Sequence, residues 1–297
     1  MQIQEALSRY GTQLLADGRS PHTAQQYRRH LRVLELWMEA ELGTSDIGVL
    51  KHEHLAQLLA SPLATLRKDG KPKRPNSVNA LRSSLRAFFG YCEAAGYVER
   101  NPARLVRRAV CGAAPPRVLK SREKDRLLEL LDAAQTDAQH RDRVLFRLML
   151  ATGIRISSAL ALDVEDVDLE EGELRLRFVK RGREQVVLLG MNARSLLAGH
   201  IGGRASGPLF LNALGERVGQ RNVQRRFRLL ADRVRARGAT VHSLRHTFAT
   251  ELYRVTSDLI GTSVALGHRS ITSTMIYASA PRARHGLEAG PDAVKGV

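Results

Sequence analysis

Apolar residues recur at helical spacing through the first hundred positions. In "SPHTAQQYRRHLRVLELWMEA" they fall at Tyr27, Leu31, Leu34 and Trp37, three or four apart, which predicts an amphipathic helix. Ser20 is placed to cap it and Pro21 occupies its first helical position. A second helix is predicted in "NSVNALRSSLRAFFGYCEAAG", with Val78, Leu81, Leu85, Phe88 and Cys92 on one face and a stop at Gly96. The opposite face carries Arg82 and Arg86, one turn apart; it suits phosphate groups or plain water equally well. Between the two lies "LRKDGKPKRPN", a polar, basic loop whose Lys71 and Lys73 suit contact with a backbone rather than base readout.

The pattern breaks at "CGAAPPR", 111–117, whose Gly, Ala and Pro content is that of a linker. Beyond it, "KSREKDRLLELLDAA" predicts a helix capped by Ser121, and "RDRVLFRLMLATG" a strongly apolar helix ended by Gly153. The period then changes. In "GELRLRFVKRGREQVVLL", Leu174, Leu176 and Phe178 alternate with Arg175, Arg177 and Val179, and "QVVLL" follows a basic tip. That is a β-hairpin pattern with Lys180, Arg181 and Arg183 at or near the turn. Helical spacing returns in "GQRNVQRRFRLLADRVRA" and "SLRHTFATELYRV". In the latter, Leu244, Phe248 and Leu252 form the expected buried stripe, with His242 and Arg245 together on another face. The second half is thus mainly helical with a small sheet.

Charge narrows the function. The 297 residues, enough for two domains, carry 47 Lys and Arg against 30 acidic residues, a net charge of +17. Such a surface favours a polyanion, and nucleic acid is the commonest, although a ribosome-like or merely solubilising surface has the same sign. Cys92 and Cys111 show no disulfide or zinc spacing, which fits a reducing cytoplasm. No apolar run is long enough to span a bilayer, and the first residues lack a signal-peptide core. The expectation is a cytoplasmic protein with no membrane partner.

Several residues could carry chemistry. Arg155 follows a helix-ending glycine in "ATGIRISSAL", where charge and backbone N–H groups can face an anion. His242 and Arg245 make a compact donor set for a phosphate. His242 and His246, four apart, could share a zinc ion, but Ser243 stands where a zinc hydrolase needs its glutamate and no further ligand is near. Only eight of the basic residues are lysines, and Lys180 is the only one between Lys124 and Lys295. Arginine cannot give up its proton, so a lone lysine among arginines is a candidate general acid. Finally, "LGHRSITSTMIYA" sets His268 nine residues before Tyr277; alone, that tyrosine reads as a packing residue or a nucleophile.

Taken in order, "TGIRIS", "VKRGREQVVLL", "HSLRHTFAT" and "LGHRSITSTMIY" resemble the arginine, lysine-hairpin, His-x-x-Arg and tyrosine boxes of the tyrosine recombinases, the phage-type integrases, with an Xer-like layout. "ERNPA" and the N-terminal helices extend the resemblance over nearly the whole chain. Ser158 departs from an expected glutamate, Glu251 from a frequent histidine, and Val179 and Arg181 from glycines beside the lysine. The resemblance implies a mainly α, two-domain, C-shaped DNA clamp. Its parts would be a helical (SAM-like) core-binding domain over 1–110, a linker at 111–117, an α+β catalytic domain over 118–280 with a small antiparallel sheet, and a tail, 281–297, that docks on a neighbouring protomer. It further implies site-specific strand exchange on double-stranded DNA by a homo-tetramer, or a hetero-tetramer with a second recombinase, on two duplexes, with no cofactor and no metal. Tyr277 would be the nucleophile, Arg155 and Arg245 the phosphate clamps, Lys180 the acid for the leaving oxygen, His242 a proton handler at the phenol and His268 a phosphate ligand. A type IB topoisomerase has a similar residue set, and a catalytically silent DNA-binding regulator would lack the need for one.

Overall fold

The computed structural model describes residues 1–112, 115–177, 185–267 and 272–278. The chain separates into two compact units, Met1–Ala113 and Ala114–Val297.

The first unit is helical: α1 (Ile3–Ala16), α2 (Pro21–Leu42), α3 (His52–Ala60), α4 (Pro62–Thr65) and α5 (Pro75–Ala94). The predicted cap of α2 forms, with the Thr23 N–H donating to Ser20 Oγ at 3.2 Å. Gly43 ends the helix in the left-handed region. Leu31, Leu34 and Trp37 from α2 meet Leu81, Leu85, Phe88 and Cys92 from α5 in one core, as the spacing predicts. Tyr10 of α1 joins them, its ring edge-on to Phe88 at 5.6 Å.

The second unit contains α6 (Ser121–Asp132), α7 (Asp137–Thr152), α8 (Ile156–Ala161), strands β1 (Val167–Asp168), β2 (Glu173–Leu176) and β3 (Gln185–Leu188), then α9 (Met191–Ile201), α10 (Gln220–Arg233), α11 (Val241–Thr256), α12 (Leu259–Ala265) and α13 (Thr272–Ala278). The strands form an antiparallel sheet in the order β1-β2-β3, with Leu174 opposite Val187 and Leu176 opposite Gln185. Leu174 and Leu176 point into the core and Arg175 out, which is the alternation the hairpin pattern required. Strand β1, two residues long, is too short to leave a period in the sequence.

Two local expectations change. Ser121 is the first residue of α6 rather than its cap. Glu123 accepts the N–H of Lys120 at 2.9 Å and pairs with Arg117, so the helix is closed one residue earlier. The stripe predicted for α11 is also too narrow. Leu244 is fully buried, but Phe248 and Leu252 are only half-buried, while Val241, Ser243, Arg245, Thr247 and Ala249 are buried instead. The reason is packing on several sides, since α11 lies against α7, α10, α12 and α13. Among the described residues, no helix is long and apolar enough to cross a membrane.

Candidate active site

The site forms where the ends of three helices meet α11. Helix α7 stops at Gly153, whose φ of +64° suits glycine, and a Cβ there would lie 2.2 Å from the Phe248 ring. Two residues later Arg155 opens α8. Helix α12 ends at Leu266, before Gly267, which is also left-handed. Arg245 spans both ends. Its Nη1 donates to the Gly153 carbonyl and its Nη2 to the Leu266 carbonyl, each at 2.6 Å.

These carbonyls belong to helix C-termini, which carry partial negative charge, so a guanidinium is the group best suited to hold them. Arg245 is 6% exposed. Burial, followed by the repulsion of Arg155, pushes it down to about 10, still protonated at neutral pH. Two of its five N–H donors serve the carbonyls, and the other three have no partner among the described residues. Arg155 and Arg245 line one small cavity with Ser158, Leu176 and Gln185. The last two are the facing residues at the described ends of β2 and β3, and the Gln185 amide donates to the Ala265 carbonyl at 3.4 Å.

Tyr277, on α13, is 3% exposed and packs with Ala249, Leu266 and the half-buried Phe248. Its ring therefore fills a small core, and its hydroxyl is bonded to His246 Nδ1 at 2.8 Å. Burial raises the phenol above its ordinary value, while the charges of Arg245 and then Arg155 pull the other way. His242, in the first turn of α11, keeps over a third of its surface open. Its imidazole is nonetheless lowered, first by desolvation and then by Arg245 and Arg155. His246, half-buried, is lowered by burial, then by His242 and Arg245.

The structure thus brings Arg155, His242, Arg245 and Tyr277 into one cluster. Lys180, Arg181, Arg183, His268, Val179 and the 281–297 tail lie outside the described residues. The Tyr277 hydroxyl is bonded to His246, a residue outside the expected catalytic set. Nothing in the sequence around His246 points to Tyr277, which lies 31 residues further on. Of the departures, Glu251 receives the Lys124 ammonium at 2.5 Å, tying α6 to α11. Thr247 extends that tie: its hydroxyl accepts the Leu119 N–H at 2.9 Å and donates to the Ser243 carbonyl.

In the first unit the four candidate DNA contacts differ. Arg86 and Lys71 are exposed. Arg82 spends one donor on buried Asn79, at 3.1 Å. Lys73 donates to the Leu63 carbonyl at 2.7 Å, and burial lowers its ammonium.

Comparison with known proteins adds to this geometry. Residues 119–284 match the phage integrase family, and residues 7–96 match the phage integrase N-terminal SAM-like domain. A protein from Chromobacterium violaceum named tyrosine recombinase XerC is 32% identical over 281 residues, spanning 93% of this chain and 90% of its own. Among solved structures, XerH site-specific recombinase bound to its difH substrate aligns with a TM-score of 0.67 at 23% identity, over 91% of this chain and 79% of that one. A lambda integrase tetramer bound to a Holliday junction aligns with a TM-score of 0.71 at 19% identity, over 92% and 79%.

Proposed function

The chain belongs to the phage integrase family and is a site-specific tyrosine recombinase, and on that footing we propose how its residues divide the work. Tyr277 Oη attacks a backbone phosphorus, the bond from phosphorus to the 5′-oxygen breaks, and a 3′-phosphotyrosyl link remains. Arg155 and the remaining donors of Arg245 bind the non-bridging oxygens and stabilise the charge of the pentavalent transition state. Lys180 protonates the departing 5′-oxygen, and His242 and His268 bond the same phosphate. The 5′-hydroxyl of a partner strand then reverses the step, so the phosphodiester's energy is kept and no ATP is consumed. Positive charge comes from side chains, and the step needs no metal ion.

The observation that carries this reading is the placement of Arg245. It is anchored by two helix ends and sits with Arg155 close enough for both charges to act on the Tyr277 phenol. The substrate is double-stranded DNA with a specific site. Residues 1–110 bind its backbone, through Arg82, Arg86, Lys71 and Lys73, and 118–280 perform the chemistry, with Arg181 and Arg183 on the DNA beside Lys180. The working assembly is a tetramer on two duplexes, of this chain alone or with a second recombinase, and the 281–297 tail docks on the neighbouring protomer. The compartment is the cytoplasm.

The test is covalent trapping. A pool of randomised duplexes, each nicked so that the cleaved fragment is lost, is incubated with the protein in the presence of EDTA. Wild type forms an adduct that survives denaturant, and Tyr277→Phe forms none. An adduct on the Phe variant would displace the nucleophile, and none on wild type would remove the reading altogether.

A further inference from the structure

The cleavage step must place the phenol's proton: the resemblance gives it to His242, but the hydroxyl is bonded to His246. As Oη bonds to phosphorus, the phenol must release its hydrogen, and a phenol raised by burial does not release it to water at neutral pH. We infer that His246 is a catalytic residue, whose Nδ1 holds the Tyr277 hydroxyl and takes its proton during attack. The inference rests on the phosphotyrosyl reading and deepens it.

The geometry is direct. His246 Nδ1 is 2.8 Å from Oη, and the two rings lie 5.8 Å apart at 49°. This is within the reach required of a general base. An imidazole that accepts at Nδ1 carries its hydrogen on Nε2. Neither ring is free to wander. Tyr277 is wedged among Ala249, Leu266 and Phe248, and His246 follows Arg245, which is fixed by its two carbonyls.

The surroundings keep the base in its receptive form. Among the described residues, the charged and titratable groups around it are His242 and Arg245 on α11, Tyr277 on α13, and Arg155 at the head of α8, whose charge reaches the phenol. With burial, His242 and Arg245 hold the imidazole below its ordinary 6.5, so its lone pair is available at neutral pH. A phosphate arriving between the arginines brings negative charge and makes the ring more basic when the proton must move.

The balance closes without an outside reactant. In cleavage the O–H bond of Tyr277 breaks and its proton passes to His246, the new bond from Oη to phosphorus forms, and the 5′-oxygen leaves with a proton from Lys180. In rejoining, the 5′-hydroxyl attacks, its proton returns to Lys180, and His246 returns its own to the phenolate.

The experiment uses the nicked duplex that the wild-type full-length protein selects from the randomised pool, under single-turnover conditions. His246→Asn keeps an amide able to bond the phenol but unable to take its proton, and His246→Ala keeps neither. Both are expected to bind the duplex and to cleave it about 100-fold more slowly or worse. Free imidazole should accelerate the Ala variant. The wild-type rate should fall on an acid limb, and that limb should be missing from both variants. An Asn variant within a few-fold of wild type would reduce His246 to a positioning residue and overturn the inference. So would loss of duplex binding by both variants, or an Ala variant that binds and ignores imidazole. If wild type traps no duplex at all, it is the recombinase chemistry that fails; trapping by wild type with a fast Asn variant defeats this step alone.

Discussion

Arg245 meets two demands with one guanidinium: it closes two helix ends and it presents its remaining donors at the cavity shared with Arg155. Removing it should therefore cost stability as well as chemistry. Arg245→Ala leaves two inward carbonyls without their donor, a loss of about 2–4 kcal/mol, visible as a lowered thermal midpoint, and it should form no adduct. A variant as stable as wild type would mean that the two carbonyl contacts contribute nothing. At this scale much was legible. Arg155, His242, Arg245 and Tyr277 stand out because the boxes that hold them resemble, in order, those of the tyrosine recombinases. The burial of Arg245 was not legible, since a helical wheel puts a charged residue outside unless its tertiary partners are known. His246 was weighed only against His242, since nothing local links it to a tyrosine 31 positions on.

Among the elements, several caps and breaks are visible in the sequence. Ser20 caps α2, Gly153 ends α7, and the alternation in 174–176 gives the inward and outward faces of β2. The misses have physical causes. The cap of α6 moved because Glu123 reaches back to Lys120, and the buried surface of α11 widened because four helices surround it. Gly153 is where local structure and site meet. Gly153→Ala must hold a left-handed φ and place a methyl 2.2 Å from Phe248, while its carbonyl serves Arg245. The strain alone is about 1–2 kcal/mol, and the clash adds to it. We expect a lowered thermal midpoint together with slowed cleavage at temperatures where the variant is folded. Unchanged cleavage in a destabilised variant would separate the helix end from the positioning of Arg245.

For the whole molecule, charge and chain length point to a two-part nucleic-acid protein. Chemistry came from four short boxes and then from the clustering of Arg155, His242, Arg245 and Tyr277 around α11. A net charge of +17 sets an expectation of its own. Binding to duplex DNA should weaken steeply with salt, as counterions cease to gain by release, and Arg86→Ala should flatten the log–log slope by about 1. An unchanged slope would remove Arg86 from the phosphate contacts. The most direct test of the central claim is the position of the trapped DNA. After digestion of the adduct with protease and nuclease, mass spectrometry should find the nucleotide on the peptide containing Tyr277, joined through its 3′-phosphate. A nucleotide on any other residue, or one joined through a 5′-phosphate, would contradict the account.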